Sequence, residues 1–381
     1  MQEQINFTRG PEIIFARGKT GSIGSILKSR KINRALIFTD RGIIEAGIIE
    51  TVKNSLSEKN LDYYIFAEIE TNPLKSVIKK GVEVAQELEP DIFIAVGGGS
   101  VLDTAKAVAV YYSNPDLNIL EQQGELDDNY NRFPVITIPT TAGTGSEVTS
   151  WAVITDPEIP EKVSIGGYCL TPCLAIIDPE MTLTLPSKLT LWTGMDAFIH
   201  ALEAYLSNNS NEYLNRISYI AMEYVVNNLP IVIKDSSNIY AREKMLLASY
   251  LAGWAMQNAG LGLVHGMSHQ VGAFYHHHHG LLNAILLPYV VKYNYSVSKE
   301  KMDNINKLFI KNSKNDDKTL TDSIFTFYNS LDLKIELSIK KDDIHIMSEM
   351  AVNNVNSETN PRIPDLEDVK KIYSRAFKVE N

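Results

Sequence analysis

The stretch Asp91-Ile-Phe-Ile-Ala-Val-Gly-Gly-Gly-Ser-Val-Leu-Asp-Thr-Ala-Lys106 decides the fold. Its opening, through Val96, is a short apolar run of the kind that forms a strand buried on both faces. Glycines follow at once, and from Val101 to Tyr111 the periodicity becomes helical. A glycine-rich turn between a buried strand and a helix lets the backbone approach a pyrophosphate, whose charge meets the free N–H groups at the helix start. The turn is Gly97-Gly98-Gly99-Ser100 and not the GxGxxG fingerprint. Taken alone it reads either as a phosphate site or as a tight connection.

Working outward, Ala35–Thr39, Tyr63–Phe66 and Val135–Ile138 also read as buried strands, with a helical pattern over Ser76–Leu88 between them. Such alternation predicts an α/β domain with a parallel sheet wrapped by helices. Asp40 closes one of these strands. A carboxylate there can hydrogen-bond the adenosine ribose and repel a 2′-phosphate, favouring NAD over NADP, or it can be a solvated turn residue beside Arg41 and Gly42. Because Asp40 precedes the glycine turn, the strand order must differ from the usual mononucleotide fold. A second turn, Pro139 to Glu147, offers the hydroxyls of Thr140 and Thr141. It reads either as a seat for the nicotinamide end or as a helix start capped by Thr144 or Ser146.

Beyond Pro186 the strand signals fade and long helical patterns take over, at Lys188–Leu206, Asn215–Asn228, Ala241–Asn258 and Asp365–Phe377. Two domains are expected: 1–184, dinucleotide-binding α/β, and 185–381, all-helical, with Pro186 as a helix-start residue. In the second, Asp196 and His200 lie four apart and so share a helix face. His265 and His269 repeat that spacing, and His279 follows. Three imidazoles and a carboxylate, Asp196, His200, His265 and His279, suit a divalent ion of the iron or zinc kind better than Mg²⁺ or Ca²⁺, and point to a catalytic site.

Composition narrows the class. The 381 residues are 44% hydrophobic and 22% charged, ordinary for a globular enzyme with a sizeable core. A formal charge of −10 argues against a nucleic-acid partner, which would call for a basic face. The N-terminal residues lack the charged and apolar regions of a secretory signal. The most apolar run, Leu281–Val291, is too short to span a membrane. The two cysteines, Cys169 and Cys173, read as buried reduced thiols, and a cytoplasmic location follows.

These motifs together resemble the iron-containing (group III) alcohol dehydrogenases. The likeness is carried in order by GGGSVLDTAK (97–106), PTTAGTGSEVT (139–149), DPE (178–180), GMDAFIHALEAY (194–205) and GLGLVHGMSHQVGAFY (260–275). Asn360-Pro361-Arg362 followed by DLEDVKKIY resembles the lactaldehyde reductase and 1,3-propanediol dehydrogenase members. The resemblance implies an N-terminal α/β dinucleotide-binding domain and an all-α metal-binding domain. It implies Asp196, His200, His265 and His279 as ligands of Fe²⁺, with Zn²⁺ an alternative, and Gly98, Gly99 and Ser100 as the pyrophosphate turn. It further implies Asp40 as the ribose contact, Asn72, Thr140, Thr141 and Lys162 as cofactor contacts, and a homodimer or larger homo-oligomer. His269 matches a histidine near nicotinamide and substrate and is the candidate proton relay.

One departure stands out: where the family commonly has proline before the last ligand, this chain reads Tyr275-His276-His277-His278-His279-Gly280. The His-Gly pair matches the family at His279. The activity implied is hydride transfer between NAD(H) and a small primary alcohol, diol or aldehyde. Glycerol dehydrogenase-like or dehydroquinate synthase-like chemistry on the same fold is an alternative, as is a metal- and nucleotide-binding protein without catalysis. Trp151, Trp254, Phe274 and Tyr275 read either as pocket walls or as core.

Overall fold

The structure, a computed structural model, describes residues 7–70, 73–117, 124–127, 129–156, 161–310, 318–333 and 336–380. The chain divides into two compact units, Met1–Leu185 and Pro186–Asn381.

Among the described residues of the first unit run nine strands: β1 Glu12–Phe15, β2 Arg34–Phe38, β3 Asp62–Phe66, β4 Ile92–Gly97, β5 Gly124–Glu125, β6 Val135–Pro139, β7 Trp151–Asp156, β8 Glu161–Gly166 and β9 Leu174–Ile177. Six form one parallel sheet in the order β1-β9-β6-β4-β2-β3. Each face of β4 is apolar, so Phe93 and Ala95 enter one core while Ile92, Ile94 and Val96 enter the other. From β2 the chain steps outward to β3 and then returns to the other side of β2 at β4. That reversal makes a switch point, and open α/β sheets bind ligands beyond the carboxyl ends of the strands flanking one. Asp40 and Gly98 stand just past those ends, and the Thr39 hydroxyl donates to Val96 O at 2.9 Å across them.

A short second sheet supplements the main one in this unit. The strands β5-β8-β7 form a three-stranded sheet that sequence periodicity did not reveal. Its β7 is pinned to helix α1, Gly99–Ser113, where Asp103 Oδ2 accepts from Val153 N at 3.1 Å.

The second unit is helical, with α2 Ser187–Leu206, α3 Glu212–Lys234, α4 Ile239–Ala259, α5 Leu263–Tyr275 and α6 His279–Ile310 at its centre. Helices α2, α3 and α4 pack mutually, and α6 lies on both α2 and α5. Most of α2 is buried, including Asp196, His200 and Glu203, because apolar and small residues surround it on all sides. One feature departs from an all-helical reading: Ser338–Lys340 and Lys378–Glu380 pair as a two-stranded parallel sheet. No helix among the described residues is long and apolar enough to cross a membrane.

Candidate metal centre and dinucleotide turn

In the second unit, α2 supplies Asp196 and His200, α5 supplies His265 and the start of α6 supplies His279. One ligand atom from each lies within 4.8 Å of all the others, the one such cluster among the described residues. Asp196 Oδ1 is 3.8 Å from Nε2 of each of the three imidazoles. The contact of α6 with α2 depends on Gly280, where an added Cβ would come 2.2 Å from the Trp192 carbonyl oxygen. His279 therefore joins the cluster, whereas the preceding His278 ring lies against Trp192 at 4.8 Å between centroids. His276 sits exposed in the left-handed conformation at the end of α5.

Burial pushes the Asp196 carboxyl up, but the imidazoles of His200, His279 and His265 outweigh it and hold the group well below the usual carboxylate range. Burial likewise opposes charge on His265, yet the Glu203 and Asp196 carboxylates raise it to about 9. A cation suits the same ring of acceptors.

His269, one turn after His265 on α5, is buried with its ring 6.0 Å from that of His265 and 5.1 Å from that of His279. It stands beside the cluster. Two further side chains escaped the sequence reading. Glu203 Oε2 lies 2.6 Å from His265 Nδ1, and Asn283 Nδ2 reaches Asp196 Oδ1 at 2.7 Å and the Nε2 atoms of His265 and His279 at 3.1 Å. Their spacing would have revealed them: Glu203 follows Asp196 and His200 at i+7 and i+3, and Asn283 follows His279 at i+4.

In the first unit the glycine turn opens α1. Gly98 is its N-cap and has no side chain with which to cap the first N–H groups, a helix start of the kind that suits an anion. The second turn packs on it: Thr140 N donates to Gly97 O at 3.0 Å, and an added Cβ on Gly99 would meet Thr144 Cγ2 at 2.7 Å. Residues 140–150 open no helix, so neither Thr144 nor Ser146 is an N-cap. Buried Lys106 holds this turn from behind, donating to Ser146 O at 3.0 Å, Ser146 Oγ at 2.8 Å and Thr149 O at 3.3 Å. Burial lowers the Lys106 pKa and raises that of its neighbour Glu147 to about 7.

Asp40 caps the short helix Arg41–Glu45, its Oδ1 accepting from Ile43 N at 2.9 Å. Lys162 is buried on β8 opposite Thr155. Asn72 lies outside the described residues. Of the four aromatic residues read as pocket walls or core, Trp151 starts β7 with its ring over Gly166, and Trp254 packs beside Ala204 and Leu214. The Tyr275 hydroxyl donates to Asp343 Oδ2 at 2.6 Å.

Comparison with known proteins agrees across both units. The family model described as iron-containing alcohol dehydrogenase matches residues 10–179, and that described as the C-terminal part of the Fe-containing alcohol dehydrogenase family matches residues 190–377. An NAD-dependent methanol dehydrogenase of Bacillus methanolicus is 34% identical over 380 residues, 98% of this chain and 100% of the relative. Lactaldehyde reductase of Escherichia coli (strain K12) is 33% identical over 375 residues, 95% of this chain and 97% of the relative. A crystal structure of 1,3-propanediol oxidoreductase superposes with a TM-score of 0.91 at 30% identity, covering 98% of this chain and 100% of that one.

Proposed function

The chain belongs to the iron-containing alcohol dehydrogenase family, and from that premise we propose that it transfers a hydride between NAD(H) and a small primary alcohol, diol or the corresponding aldehyde. The observation that carries this is the convergence of four ligand atoms within 4.8 Å, in a chain whose relatives act on alcohols and aldehydes. Asp196, His200, His265 and His279 hold the ion, Fe²⁺ or Zn²⁺, since three imidazoles and one carboxylate fit such a cation. When bound, that ion supplies Lewis acidity to the substrate oxygen, while the nicotinamide carries the hydride.

The protein's own contribution is binding, orientation and proton handling. Gly98, Gly99 and Ser100 present N–H groups at the start of α1 to the pyrophosphate, and Asp40 accepts from the ribose hydroxyls. Thr140, Thr141 and Lys162 are further cofactor contacts. His269 passes the proton between substrate oxygen and solvent, an imidazole being the side chain suited to proton transfer in both directions near neutrality. The protein works in the cytoplasm as a homodimer or larger homo-oligomer.

The test is NADH oxidation with a panel of short aldehydes, using chelator-stripped protein before and after anaerobic addition of Fe²⁺. Restored turnover is expected. Metal uptake without turnover on any aldehyde or alcohol would overturn the reading.

A further inference from the structure

Helix α5 carries both His265 and His269, yet its N-cap is Gly262, which has no side chain to satisfy the first N–H groups. Those groups are satisfied from afar. Leu263 N donates to Asn360 Oδ1 at 3.2 Å, and Val264 N donates to Glu203 Oε1 at 2.6 Å. Glycine at the cap leaves room for both: an added Cβ would come 2.7 Å from Glu203 Oε1 and 3.1 Å from Asn360 Oδ1 and would push these side chains away. Asn360 is in turn fixed by Asn294, which donates to its Oδ1 at 3.0 Å and accepts from its Nδ2 at 2.8 Å. A carboxylate at a helix N-terminus also answers the positive end of the helix dipole.

The second oxygen of Glu203 meets His265 Nδ1 at 2.6 Å, and both residues are buried. An ionised carboxylate only accepts hydrogen bonds, so Nδ1 must carry a proton, and Nε2, 3.8 Å from Asp196 Oδ1, is the nitrogen left to ligate an ion. We propose that Glu203 is the positioning residue of the metal centre, capping α5 with one oxygen and fixing the tautomer of His265 with the other, with Asn360 completing the cap. This rests on the metal reading of Asp196, His200, His265 and His279. Carboxylates behind a ligating histidine orient the ring and raise its basicity, and their loss commonly weakens metal binding by about 10- to 100-fold.

Glu203→Gln separates the two duties. The amide oxygen can still accept from Val264 N, but its NH₂ then faces Nδ1 as a donor and favours the tautomer with the proton on Nε2. Zn²⁺ affinity, measured by competition with a chelating dye, is expected to fall about 10- to 100-fold. Asn360→Ala, which opens the cap and leaves the Glu203–His265 bond, is expected to lower the thermal midpoint of the metal-free protein while losing less Zn²⁺ affinity than Glu203→Gln. Equal Zn²⁺ affinity in wild-type protein and Glu203→Gln overturns the assignment, while wild-type protein that holds no Zn²⁺ overturns it together with the metal reading. Should Glu203→Gln fail to fold, ¹⁵N-histidine NMR of the Zn²⁺-loaded wild-type protein decides the matter. Zn²⁺ on Nε2 of His265 with the proton on Nδ1 is expected, and Zn²⁺ on Nδ1 overturns the assignment.

Discussion

The Asn283 amide donates to Asp196 Oδ1 at 2.7 Å and closes the metal centre from α6. A hydrogen bond to a charged, fully buried acceptor is worth more than a neutral one, typically about 1.5–3 kcal/mol. Asn283→Leu, similar in size, is expected to lower stability by about that amount in urea unfolding of the metal-free protein. An unchanged midpoint would mean that the amide is not holding the carboxylate.

The two histidines of α5 should separate by phenotype. His265→Ala is expected to abolish metal retention and turnover together, whereas His269→Ala keeps the metal and loses rate, by roughly 10²-fold or more if it handles the proton. Metal analysis beside steady-state kinetics makes the distinction. Full turnover with intact metal in His265→Ala would remove His265 from the ligand set.

Gly280→Ala tests the approach of α6 to α2. Its Cβ would stand 2.2 Å from the Trp192 carbonyl oxygen, so the start of α6 must shift and carry His279 with it. Overpacking of this kind costs about 1–3 kcal/mol. Thermal unfolding should register that loss, and metal content should fall with it.

Asp40 has two tasks to tell apart, because it also caps a helix through Oδ1. Asp40→Asn retains a capping oxygen and removes the charge, so stability should hold while the NAD over NADP preference narrows. Asp40→Ala should do both, with about 1 kcal/mol of stability lost as well. The ratio of kcat/KM for the two cofactors is the readout, and an unchanged ratio in Asp40→Asn would leave the carboxylate with its capping role alone.

Glu147 predicts how stability varies with pH. Its folded carboxyl keeps its proton to about pH 7, against an ordinary value of 4.5, because burial disfavours the charge. Between those values the folded protein binds more protons than the unfolded chain, so stability falls as pH rises through the window, by on the order of 3 kcal/mol. Glu147→Gln should flatten that fall in denaturation measured between pH 5 and 8. An equally steep fall in the variant would assign the dependence to other groups.

Much of this was legible in the sequence because it is local. The glycine turn sits between a continuous apolar run and a helical period, and the ligand pair of α2 lies at i, i+4. Strands β1 and β9 were not legible: each has four residues and pairs with the other across most of the first unit, and long-range pairing imprints no local period. The hydroxyl-rich turn after β6 could be read as a helix start, but Lys106 and Asp103 take up the Ser146 hydroxyl, while that of Thr144 accepts from Ser146 N inside the turn. The capping of α5 by Glu203 and Asn360 escaped for a related reason. A helix whose own cap is glycine gives no sign of which distant side chains will serve it.

That distant service also orders the making of the protein. Asn360 lies far downstream of His279, so when the last of the four clustered side chains leaves the ribosome the residue that completes the seat of α5 has yet to be synthesised. A nascent or truncated chain ending before it carries all four ligands but only half of the cap behind His265. The seat of α5 is therefore complete only once Asn360 has been made, well after the four clustered side chains.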